Sequence, residues 1–496
     1  MCCESARQGL RKLWVLHKLS RGHKSELVYP KGKVHEFFTV DRIKELGACS
    51  CRKHGCCFHI SKAQPPKTFT DEIALQIRNH FTSALALLVS FDIGLTSLIF
   101  ELIEKGFSDE RLTENPLTEQ EVYSLLSTTS GHEGPDTLDV IKFYRRQHQF
   151  FIPQLVYKSP HLKINSSQSL PFTVEAEIGR GAYSTVYSAT LLHEYHDFLD
   201  VHVKDGRIAV KTYHDWSAAG GDCIKERTNN EFWGSHEYIM PLQVSLEHRD
   251  IFMTIWPLAK HDLRKFLQDD PPEEYSDNPK KAWERFTNLL SALNHIHSSN
   301  PNLYGYHFDI KPHNILVRFN GDWAITDLGL AYSKLNDSGV SETSRQGGNE
   351  RYRGPEVLAH RNYDVWAMGC IGCEIIVWLN KGADGVEQFR KDRMLEEGIT
   401  TLDNFHHNER LKQPVIDFFR EIENHNDDLT RKVAAILREM LEIDPCKRLN
   451  ARVAEERFGK ILGMPPPAEN VPRRPSLQNE SLSPLRVCLK SFQVRI

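Results

Sequence analysis

Two short segments of the chain combine carboxylate, amide and lysine side chains in a way that suits phosphate chemistry. The first carries Asp309, Lys311 and Asn314 close together, and the second is a short apolar run that ends in Asp327 followed by Leu and Gly. A carboxylate and an amide can together hold a divalent cation, a second carboxylate can accept a proton from a hydroxyl, and lysine can neutralise a phosphate. Phosphoryl transfer needs these residue types, because it depends on positioning and charge neutralisation.

Two further elements of the same kind lie upstream. Residues 178–186 read Ile-Gly-Arg-Gly-Ala-Tyr-Ser-Thr-Val, and glycine at such a bend lets backbone amides approach phosphate oxygens because no Cβ intervenes. Alone, this pattern indicates only a hairpin. Lys211 ends a second β-type run, Ile-Ala-Val-Lys. Surface charges of a helical protein do not account for four chemically distinct elements in this order and spacing.

Composition limits the class of protein to which these elements belong. The chain has 496 residues, of which 40% are hydrophobic and 26% are charged, and its formal net charge is -4. This balance gives no argument for binding to nucleic acid or to a membrane surface. The longest apolar stretch, residues 84–100, is interrupted by polar residues and is shorter than the roughly 20 residues of a spanning helix. We therefore expect neither a transmembrane segment nor a nucleic-acid partner.

The start of the chain and its cysteines predict an intracellular protein. The first residues, Met-Cys-Cys-Glu, have neither the apolar core of a secretory signal nor the Gly that myristoylation requires. The 11 cysteines are scattered over a long chain, so most are expected to be reduced thiols. Residence in the cytoplasm, the nucleus or both stays open, because no strong basic cluster decides it.

The elements that must position these side chains divide the chain into parts. Residues 1–160 carry helical signals and predict a helical leader, and residues 161–171, which bear Pro and Ser, predict a linker. Short β-type runs occupy 172–262 and long helical runs occupy 263–462. Residues 463–496 are rich in Pro, Ser and Asn and predict a disordered tail. The expected fold class is therefore α+β.

In their order and spacing, the four elements resemble those of the eukaryotic protein kinase superfamily. Three later segments strengthen the resemblance: Gly-Pro-Glu at 354–356, Asp-Val-Trp-Ala-Met-Gly at 364–369, and Arg448 after Asp-Pro-Cys-Lys. The resemblance covers residues 172–462. It implies a bilobal fold, with a small antiparallel β-rich lobe and a large helical lobe that bind ATP and Mg²⁺ between them. It also implies an ion pair between Glu356 and Arg448.

The resemblance implies a role for each polar residue of the first two segments. Asp309 would orient the substrate hydroxyl and accept its proton, and Lys311 would neutralise the γ-phosphate. Asn314 and Asp327 would bind magnesium. The Lys-Pro form that follows Asp309 is typical of serine/threonine kinases. The expected enzyme is thus an ATP- and Mg-dependent serine/threonine protein kinase that phosphorylates protein hydroxyl groups.

The same resemblance implies a set of nucleotide contacts. Lys211 would hold the α and β phosphates and be fixed by a helix glutamate, for which counting back along the helix favours Glu226 while leaving Glu231 open. Trp256 would occupy the gatekeeper position and close the pocket behind adenine, and the backbone of Ala259 would contact the adenine itself. The remaining expected nucleotide contacts are Ile178, Gly179, Gly181, Ser184, Val186, Ala209 and Asp262.

Two departures from the family pattern bear on activity. Ser184 replaces the third glycine of the loop, for which we expect a modest loss. Phe308 replaces the Arg that receives an activation-loop phosphate in regulated kinases, so activity is expected not to depend strongly on phosphorylation of that loop. The hydroxyl residues concerned are Ser333, Ser338, Ser341, Thr343 and Ser344. The alternative function is a pseudokinase or scaffold that binds ATP and a protein partner with little phosphotransfer.

Three weaker signals lie outside the expected kinase domain. Residues 49–59 crowd four Cys and two His together, which suits Zn²⁺, but the paired ligand spacing of a zinc finger is missing, so metal and reduced thiols both stay open. Ser476 and Ser483 match short phosphorylation motifs in the predicted tail. The leader loosely resembles that of stand-alone fungal protein kinases, and either packing on the kinase or docking of a partner is compatible with its sequence.

Overall fold

The computed structural model describes most of the chain between residues 3 and 465. The described residues are 3–17, 26–48, 69–91, 98–128, 134–181, 183–198, 203–214, 219–298, 303–335, 348–356, 358, 360, 362–394, 402–407 and 409–465. The Cys/His cluster at 49–59, the tail phosphorylation motifs and, apart from Ser333, the activation-loop hydroxyl residues lie outside these ranges.

The N-terminal region is a helical unit built around one helix that is buried on all sides. Every residue of α5 (Thr82–Val89) is buried, because neighbouring helices cover it. Helix ends follow local signals: Thr118 and Glu121 form a reciprocal capping box at the start of the helix Glu119–Ser127. The other elements of the region are α1 (Cys3–Leu10), β1 (Val15–His17), β2 (Glu26–Val28), α2 (Lys31–Phe37), α3 (Val40–Gly47), α4 (Asp71–His80), α6 (Ile99–Glu104), α7 (Asp109–Glu114), α8 (Glu119–Ser127) and α9 (Thr137–Gln147).

A six-stranded sheet with one helix, α10 (Ala219–Trp233), forms the small lobe. Its strands are β3 (Leu162–Ile164), β4 (Phe172–Arg180), β5 (Ser184–Leu191), β6 (Arg207–Tyr213), β7 (Val244–His248) and β8 (Ile251–Pro257), and their order across the sheet is β3-β7-β8-β6-β5-β4. Strands β4 to β8 pair antiparallel, whereas β3 pairs parallel with β7. The stretch 161–171, predicted as a linker, therefore supplies an edge strand of the sheet.

The large lobe is mostly helical and holds the largest hydrophobic core of the described chain. Buried tryptophans, among them Trp283, Trp323, Trp366 and Trp378, lie at the centre of this core. The elements are β9 (His261–Asp262), α11 (Leu263–Phe266), α12 (Glu273–Ser276), α13 (Lys280–Ser298), β10 (Leu303–Tyr306), β11 (Ile315–Val317), β12 (Trp323–Ile325), β13 (Tyr332–Leu335), α14 (Tyr363–Met394), β14 (His406–His407), β15 (Arg410–Leu411), α15 (Gln413–Glu423), α16 (Asp428–Met440) and α17 (Ala451–Leu462).

Short strands of the large lobe carry the loops that face the small lobe. Strands β11 and β12 pair antiparallel and enclose a tight turn, and β10 pairs with β13 from Leu303–Leu335 to Tyr306–Tyr332. These pairings bring the chain before Asp309 and the chain after Asp327 side by side. The expected bilobal α+β fold is confirmed, with the helical region preceding it.

The helical leader packs against the small lobe. The backbone amide of Lys31 donates to the hydroxyl of Tyr195 at 2.7 Å, and the amide of Leu155 donates to the Tyr195 carbonyl at 2.8 Å. In the other direction, the side chain of Gln168, which follows strand β3, donates to the carbonyl of Thr113 in the leader at 3.1 Å. The leader thus packs on the small lobe through hydrogen bonds donated in both directions. Among the described helices, none is long and apolar enough to cross a membrane.

Candidate active site

A lysine on the central strand of the small lobe joins two carboxylates from different elements. Alternation along β6 turns Ile208 and Val210 into the core, which leaves Lys211 on the opposite face. Its Nζ lies 2.8 Å from Glu226 Oε2 on α10 and 3.0 Å from Asp327 Oδ1 after β12. The expected helix partner is therefore Glu226.

The alternative helix glutamate belongs to the surface. Glu231 is 55% exposed and lies 3.6 Å from Arg227, one helical turn earlier. The tyrosine hydroxyl of Tyr213 donates a second hydrogen bond to Glu226. Nothing in the sequence pattern singles out Tyr213, although its place two residues after Lys211 puts it on the same face of β6.

Burial and charge act in opposite directions on this triad. Burial disfavours the Lys211 ammonium, but the carboxylates of Asp327 and Glu226 outweigh it and raise the lysine pKa above its usual value. Burial raises the pKa of Glu226, whereas Lys211 lowers the pKa of Asp327. The side chain of Glu226 is 3% exposed and that of Asp327 is 38% exposed. Asp327 is thus the ionised carboxylate that a ligand can reach.

The loop between β10 and β11 gathers three of the predicted residues around one carboxylate. Lys311 Nζ and Asn314 Nδ2 both donate to Asp309 Oδ2, the latter at 2.8 Å. The backbone amide of Asn349 donates to the other oxygen, Oδ1, at 3.0 Å. Asp309, Lys311 and Asn314 thus lie together as predicted, and Asn349 joins them from a segment that is distant in sequence.

A buried aspartate holds the backbone of this loop. Asp364, at the start of α14, accepts the amides of His307 and Phe308, each at 2.9 Å, and faces His297 Nε2 at 3.0 Å. Burial opposes ionisation of Asp364, but these donors keep its pKa below the usual value. His307 Nε2 lies 3.0 Å from the Thr326 carbonyl, so the loop is also tied to the residue before Asp327.

The backbone is strained at Asp327 and at Phe308, the residue before Asp309. Phe308 has a φ of 68° and Asp327 a φ of 64°, both in the left-handed region that side chains other than glycine rarely adopt. Such residues cost about 1–3 kcal/mol each and persist where surrounding contacts compensate for them. The two amides bound by Asp364 supply such contacts at Phe308.

Phe308, which stands where the family pattern has an arginine, makes aromatic contacts. Its ring stacks on Tyr306, with centroids 4.9 Å apart and planes 3° from parallel, and meets the edge of Tyr363 at 5.7 Å. The side chain is 2% exposed. Partly buried Leu330 and Tyr332, at the start of the activation segment (residues 327–356), pack on the same cluster. The loop between β10 and β11 is thus tied to this segment by apolar packing.

The connection between the lobes begins at a buried tryptophan. Trp256 is 7% exposed, donates from Nε1 to Thr254 Oγ1 at 2.9 Å, and packs with Met240, Leu242 and Ala324. Its Cα faces that of Ala209 across the sheet. The indole thus fills the space between these residues at the start of the connection between the lobes.

Beyond Trp256 the chain follows an extended path into the large lobe. The amides on either side of Ala259 donate within the protein, that of Leu258 to Arg207 at 3.4 Å and that of Lys260 to Val317 at 2.9 Å. Asp262 caps α11, because its Oδ1 accepts the amide of Lys265 at 2.7 Å. One carboxylate oxygen of Asp262 is thus used structurally.

The glycine-containing bend at residues 178–186 is a hairpin. The packing around its two glycines has room for a side chain at either position. Strands β4 and β5 pair from Phe172–Leu191 to Arg180–Thr185, and the amide of Gly181 donates to the Ser184 carbonyl at 2.8 Å. A Cβ at Gly179 or Gly181 would meet its nearest atom at 3.8 Å or 3.7 Å, which is ordinary contact. The absence of a side chain therefore leaves room above the strand. Ile178 is 52% exposed, and Val186 faces Lys211 in the next strand.

The ion pair expected between the last two motifs is present. Arg448 binds Glu356 through two parallel hydrogen bonds of 2.7 Å and 3.0 Å, and its guanidinium lies 5.1 Å from the ring centroid of Trp366. The Arg448 side chain is fully buried. This bidentate pair closes the end of the activation segment onto the large lobe.

The donor set fits a magnesium ion and phosphate groups. The Asn314 nitrogen donates to Asp309, so the amide oxygen is the atom that Asn314 could offer to a cation, and Lys211 favours the ionised form of Asp327. Amide and carboxylate oxygens are the ligands that Mg²⁺ takes from proteins. Lys211 supplies a cation for phosphate next to them. The arrangement can bind a metal-nucleotide and orient a hydroxyl at Asp309.

Comparison with known proteins agrees with this geometry. A family model described as "Protein kinase domain" matches residues 172–457. The Kluyveromyces lactis protein "Serine/threonine-protein kinase SSN3" is 28% identical over 260 residues, covering 46% of this chain and 42% of the relative. "Cyclin-dependent kinase C-2" of Oryza sativa subsp. japonica is 26% identical over 310 residues, covering 56% of each.

A shorter relative is covered more completely. "Cyclin-dependent kinase 4" of Rattus norvegicus is 30% identical over 300 residues, which cover 56% of this chain and 91% of that protein. By contrast, the chain spans about half the length of the first curated relatives it matches.

Proposed function

Because the chain belongs to the eukaryotic protein kinase superfamily, serine/threonine type, we propose that it is an active kinase that transfers the γ-phosphate of Mg·ATP to serine or threonine hydroxyls of proteins. The observation that carries this proposal is the joining of Lys211, Glu226 and Asp327 by bonds of 2.8 Å and 3.0 Å. This lysine would be a poor phosphate ligand if it were not aligned between the two carboxylates.

Each protein group has a part in the proposed reaction. Bound Mg²⁺ neutralises the charge of the phosphate oxygens during transfer. Asp327 and Asn314 would hold the metal, and Lys211 would hold the α and β phosphates. Asp309 would orient the attacking hydroxyl and accept its proton, and Lys311, which already contacts Asp309, would balance the charge of the moving phosphoryl group.

The contacts around Asp309 support its use as a base. Both of its oxygens accept hydrogen bonds, from Lys311 and Asn314 on one side and from Asn349 on the other, so the carboxylate is held in one orientation. Orientation of this kind lowers the entropic cost of bringing a hydroxyl into line with a phosphate. The protein substrate is expected to place its hydroxyl next to this carboxylate.

The gatekeeper position defines which nucleotide-site ligands are expected to bind. Trp256 fills the space between Met240, Leu242 and Ala324. ATP needs no room behind the adenine, whereas inhibitors that extend there do. We therefore propose that this site accepts ATP and excludes such inhibitors.

Transfer of radiolabelled phosphate from Mg·ATP to a generic basic protein tests the proposal. We expect transfer by the intact chain and a loss of about 10²–10⁴-fold in kcat for Asp309→Asn. The matched control is Asp417→Asn, which alters an exposed aspartate on α15 and should keep full activity. Melting curves of all three proteins would show whether the fold is kept.

An inactive but folded intact chain would contradict the proposal. If Mg·ATP then still raised the melting temperature, the chain would be a nucleotide-binding pseudokinase or scaffold. If Mg·ATP neither bound nor reacted, both functions would fail.

A further inference from the structure

A short segment before the Gly-Pro-Glu motif makes a contact to the base that the motifs do not account for. Asn349 donates its backbone amide to Asp309 Oδ1 at 3.0 Å. This bond joins residues 40 positions apart in sequence. The two other donors to the carboxylate, Lys311 and Asn314, both bind Oδ2 and come from the same loop as Asp309. Only the Asn349 amide, among the described donors, restrains the opposite oxygen.

The residue before Asn349 is a glycine that cannot be replaced without displacing the segment. Gly348 has a φ of 95°, where L side chains are strained. A Cβ at this position would lie 2.3 Å from the Phe308 carbonyl oxygen, which is closer than any real contact. The glycine therefore lets the segment press directly onto the backbone of the residue that precedes Asp309.

The segment is also held from its other end. The Asn349 side chain accepts the amide of Arg351 at 2.9 Å and so caps a single turn of 3-10 helix, Glu350–Tyr352. Arg351 pairs with Asp403 at 2.9 Å, and the hydroxyl of Tyr352 donates to buried Glu374 at 3.0 Å. These bonds anchor the turn on the large lobe, so the position of the Asn349 amide is fixed by the fold.

From these contacts we infer that Gly348 and Asn349 are positioning residues for phosphoryl transfer: the close approach at Gly348 aims the Asn349 amide at Asp309 Oδ1 and sets the rotation of the base. The side chain of Asn349 takes no part in the bond to Asp309. This inference rests on the proposed kinase activity and adds a backbone donor to the residues that serve it.

Proline at position 349 removes the amide donor without requiring a new φ, and it also removes the side-chain cap of Arg351. Asn349→Ala, which loses the cap but keeps the amide, separates the two losses and should keep kcat within about threefold. Asn349 has a φ of -79°, which proline can adopt, and proline has no amide hydrogen. We expect Asn349→Pro to lower kcat about 10²-fold while the KM for ATP changes less than about twofold, because the Asn349 amide bonds to Asp309 and not to the residues proposed to hold the nucleotide. Gly348→Ala should lower kcat in the same way.

Proline one residue later is the matched control. Glu350 begins the 3-10 turn, a position where proline is tolerated, and the extended backbone of Asn349, with a ψ of 122°, suits a residue before proline. Glu350→Pro keeps the amide of Asn349 and should keep kcat within about threefold of the intact chain. Equal losses of kcat in the two proline variants would overturn the inference.

Hydrogen exchange tests the same bond without relying on activity. The Asn349 amide should exchange faster in Asp309→Ala than in the intact chain, whereas the Tyr352 amide, which donates to the Asn349 carbonyl at 3.3 Å, should exchange at the same rate in both. Unchanged exchange at Asn349 would refute the inference even if the chain is an active kinase. Faster exchange with no phosphate transfer would instead support the bond and contradict the proposed function.

Discussion

Asp327 in the cleft and Asp109 in the helical leader are both held among protein groups, but burial affects their ionisation differently. Asp327 lies 3.0 Å from the Lys211 ammonium, which lowers its pKa. Asp109 accepts the backbone amides of Ser83 and Ala84 at 2.8 Å and 2.9 Å, and burial raises its pKa to about 6. The two backbone amides do not compensate Asp109 for the hydration that its carboxylate loses on burial, whereas the neighbouring ammonium does so for Asp327.

This difference separates a carboxylate with a proposed role in chemistry from one that serves folding. The metal ligand proposed at Asp327 must be ionised at neutral pH, and the neighbouring Lys211 favours that state. Asp109 needs only to satisfy the first amides of α5, and it does so at the N-terminal end of that helix, where negative charge is favoured. Changing either the cation or the carboxylate should therefore have different effects in the cleft and in the leader.

Removing the cation should give the largest effect. Lys211→Met is expected to lower phosphate transfer about 10²–10³-fold, because the nucleotide phosphates lose their lysine and Asp327 loses the partner that keeps it ionised. The melting temperature of this variant should fall more steeply from pH 5 to pH 8 than that of the intact chain, since two carboxylates then ionise without a cation. Lys391→Met, at a 60% exposed lysine, is the control. Equal activity of the two variants would contradict the assignment of Lys211.

A buried cation that serves only folding should affect stability rather than chemistry. Arg448→Ala leaves Glu356 without its bidentate partner and should cost about 3–5 kcal/mol in the free energy of unfolding. Arg452→Ala removes an exposed pair with Glu456 on the same helix and should cost at most about 1 kcal/mol. Urea unfolding of both variants measures the difference. Similar costs would show that burial of the pair is energetically unimportant.

The raised pKa of Asp109 in the leader predicts that the free energy of unfolding changes with pH by an intermediate amount. Because the pKa of Asp109 is raised to about 6, the stability it permits is complete below its unfolded pKa and is lost as the pH rises through 6. From about pH 4 to pH 7 the loss approaches about 3 kcal/mol. Asp109→Asn should remove this part of the pH dependence, as unfolding measured at pH 5 and pH 7.5 would show. A pH dependence that matches that of the intact chain would mean that Asp109 does not carry it.

The smallest effect is expected from the activation-loop hydroxyl residues, because Phe308 stands where the resemblance places a phosphate-binding arginine. Phe308 packs on Tyr306 and Tyr363 at the place where an arginine would receive activation-loop phosphate. Changing the five hydroxyl residues of that loop to alanine together should alter kcat less than about tenfold. The residues are Ser333, Ser338, Ser341, Thr343 and Ser344. Phosphate transfer by the fivefold variant provides the measurement, and a larger loss would show that a phosphate acts there after all.

Site residues that lie within a few positions of one another in the chain could be predicted from the sequence. Asp309, Lys311 and Asn314 share one loop, so their proximity follows from the chain itself. The α+β class follows from the change of periodicity at the start of the large lobe, whereas the bilobal arrangement was implied by the resemblance to protein kinases. The choice of Glu226 depends on the rotation of a helix about its axis, which spacing constrains only to within one turn.

Contacts that depend on distant backbone could not be predicted. Asn349 acts on Asp309 through its amide, which every residue except proline carries, so its residue type gives no signal. Strand β3 is three residues long and lies in a stretch with Pro and Ser, too short to show alternation. Tyr213 is an ordinary strand residue until α10 brings Glu226 to its hydroxyl.

The parallel pairing of β3 with β7 has a consequence for synthesis of the chain. Leu162 pairs with Leu246, so the strand leaves the ribosome roughly 80 residues before its partner. Until β7 has been made, β3 stays unpaired, and a fragment that starts at Phe172 would present β7 as an open edge to other molecules. The stretch between the leader and the kinase domain thus covers an edge of the sheet, and shortening the protein to start at Phe172 is expected to favour aggregation.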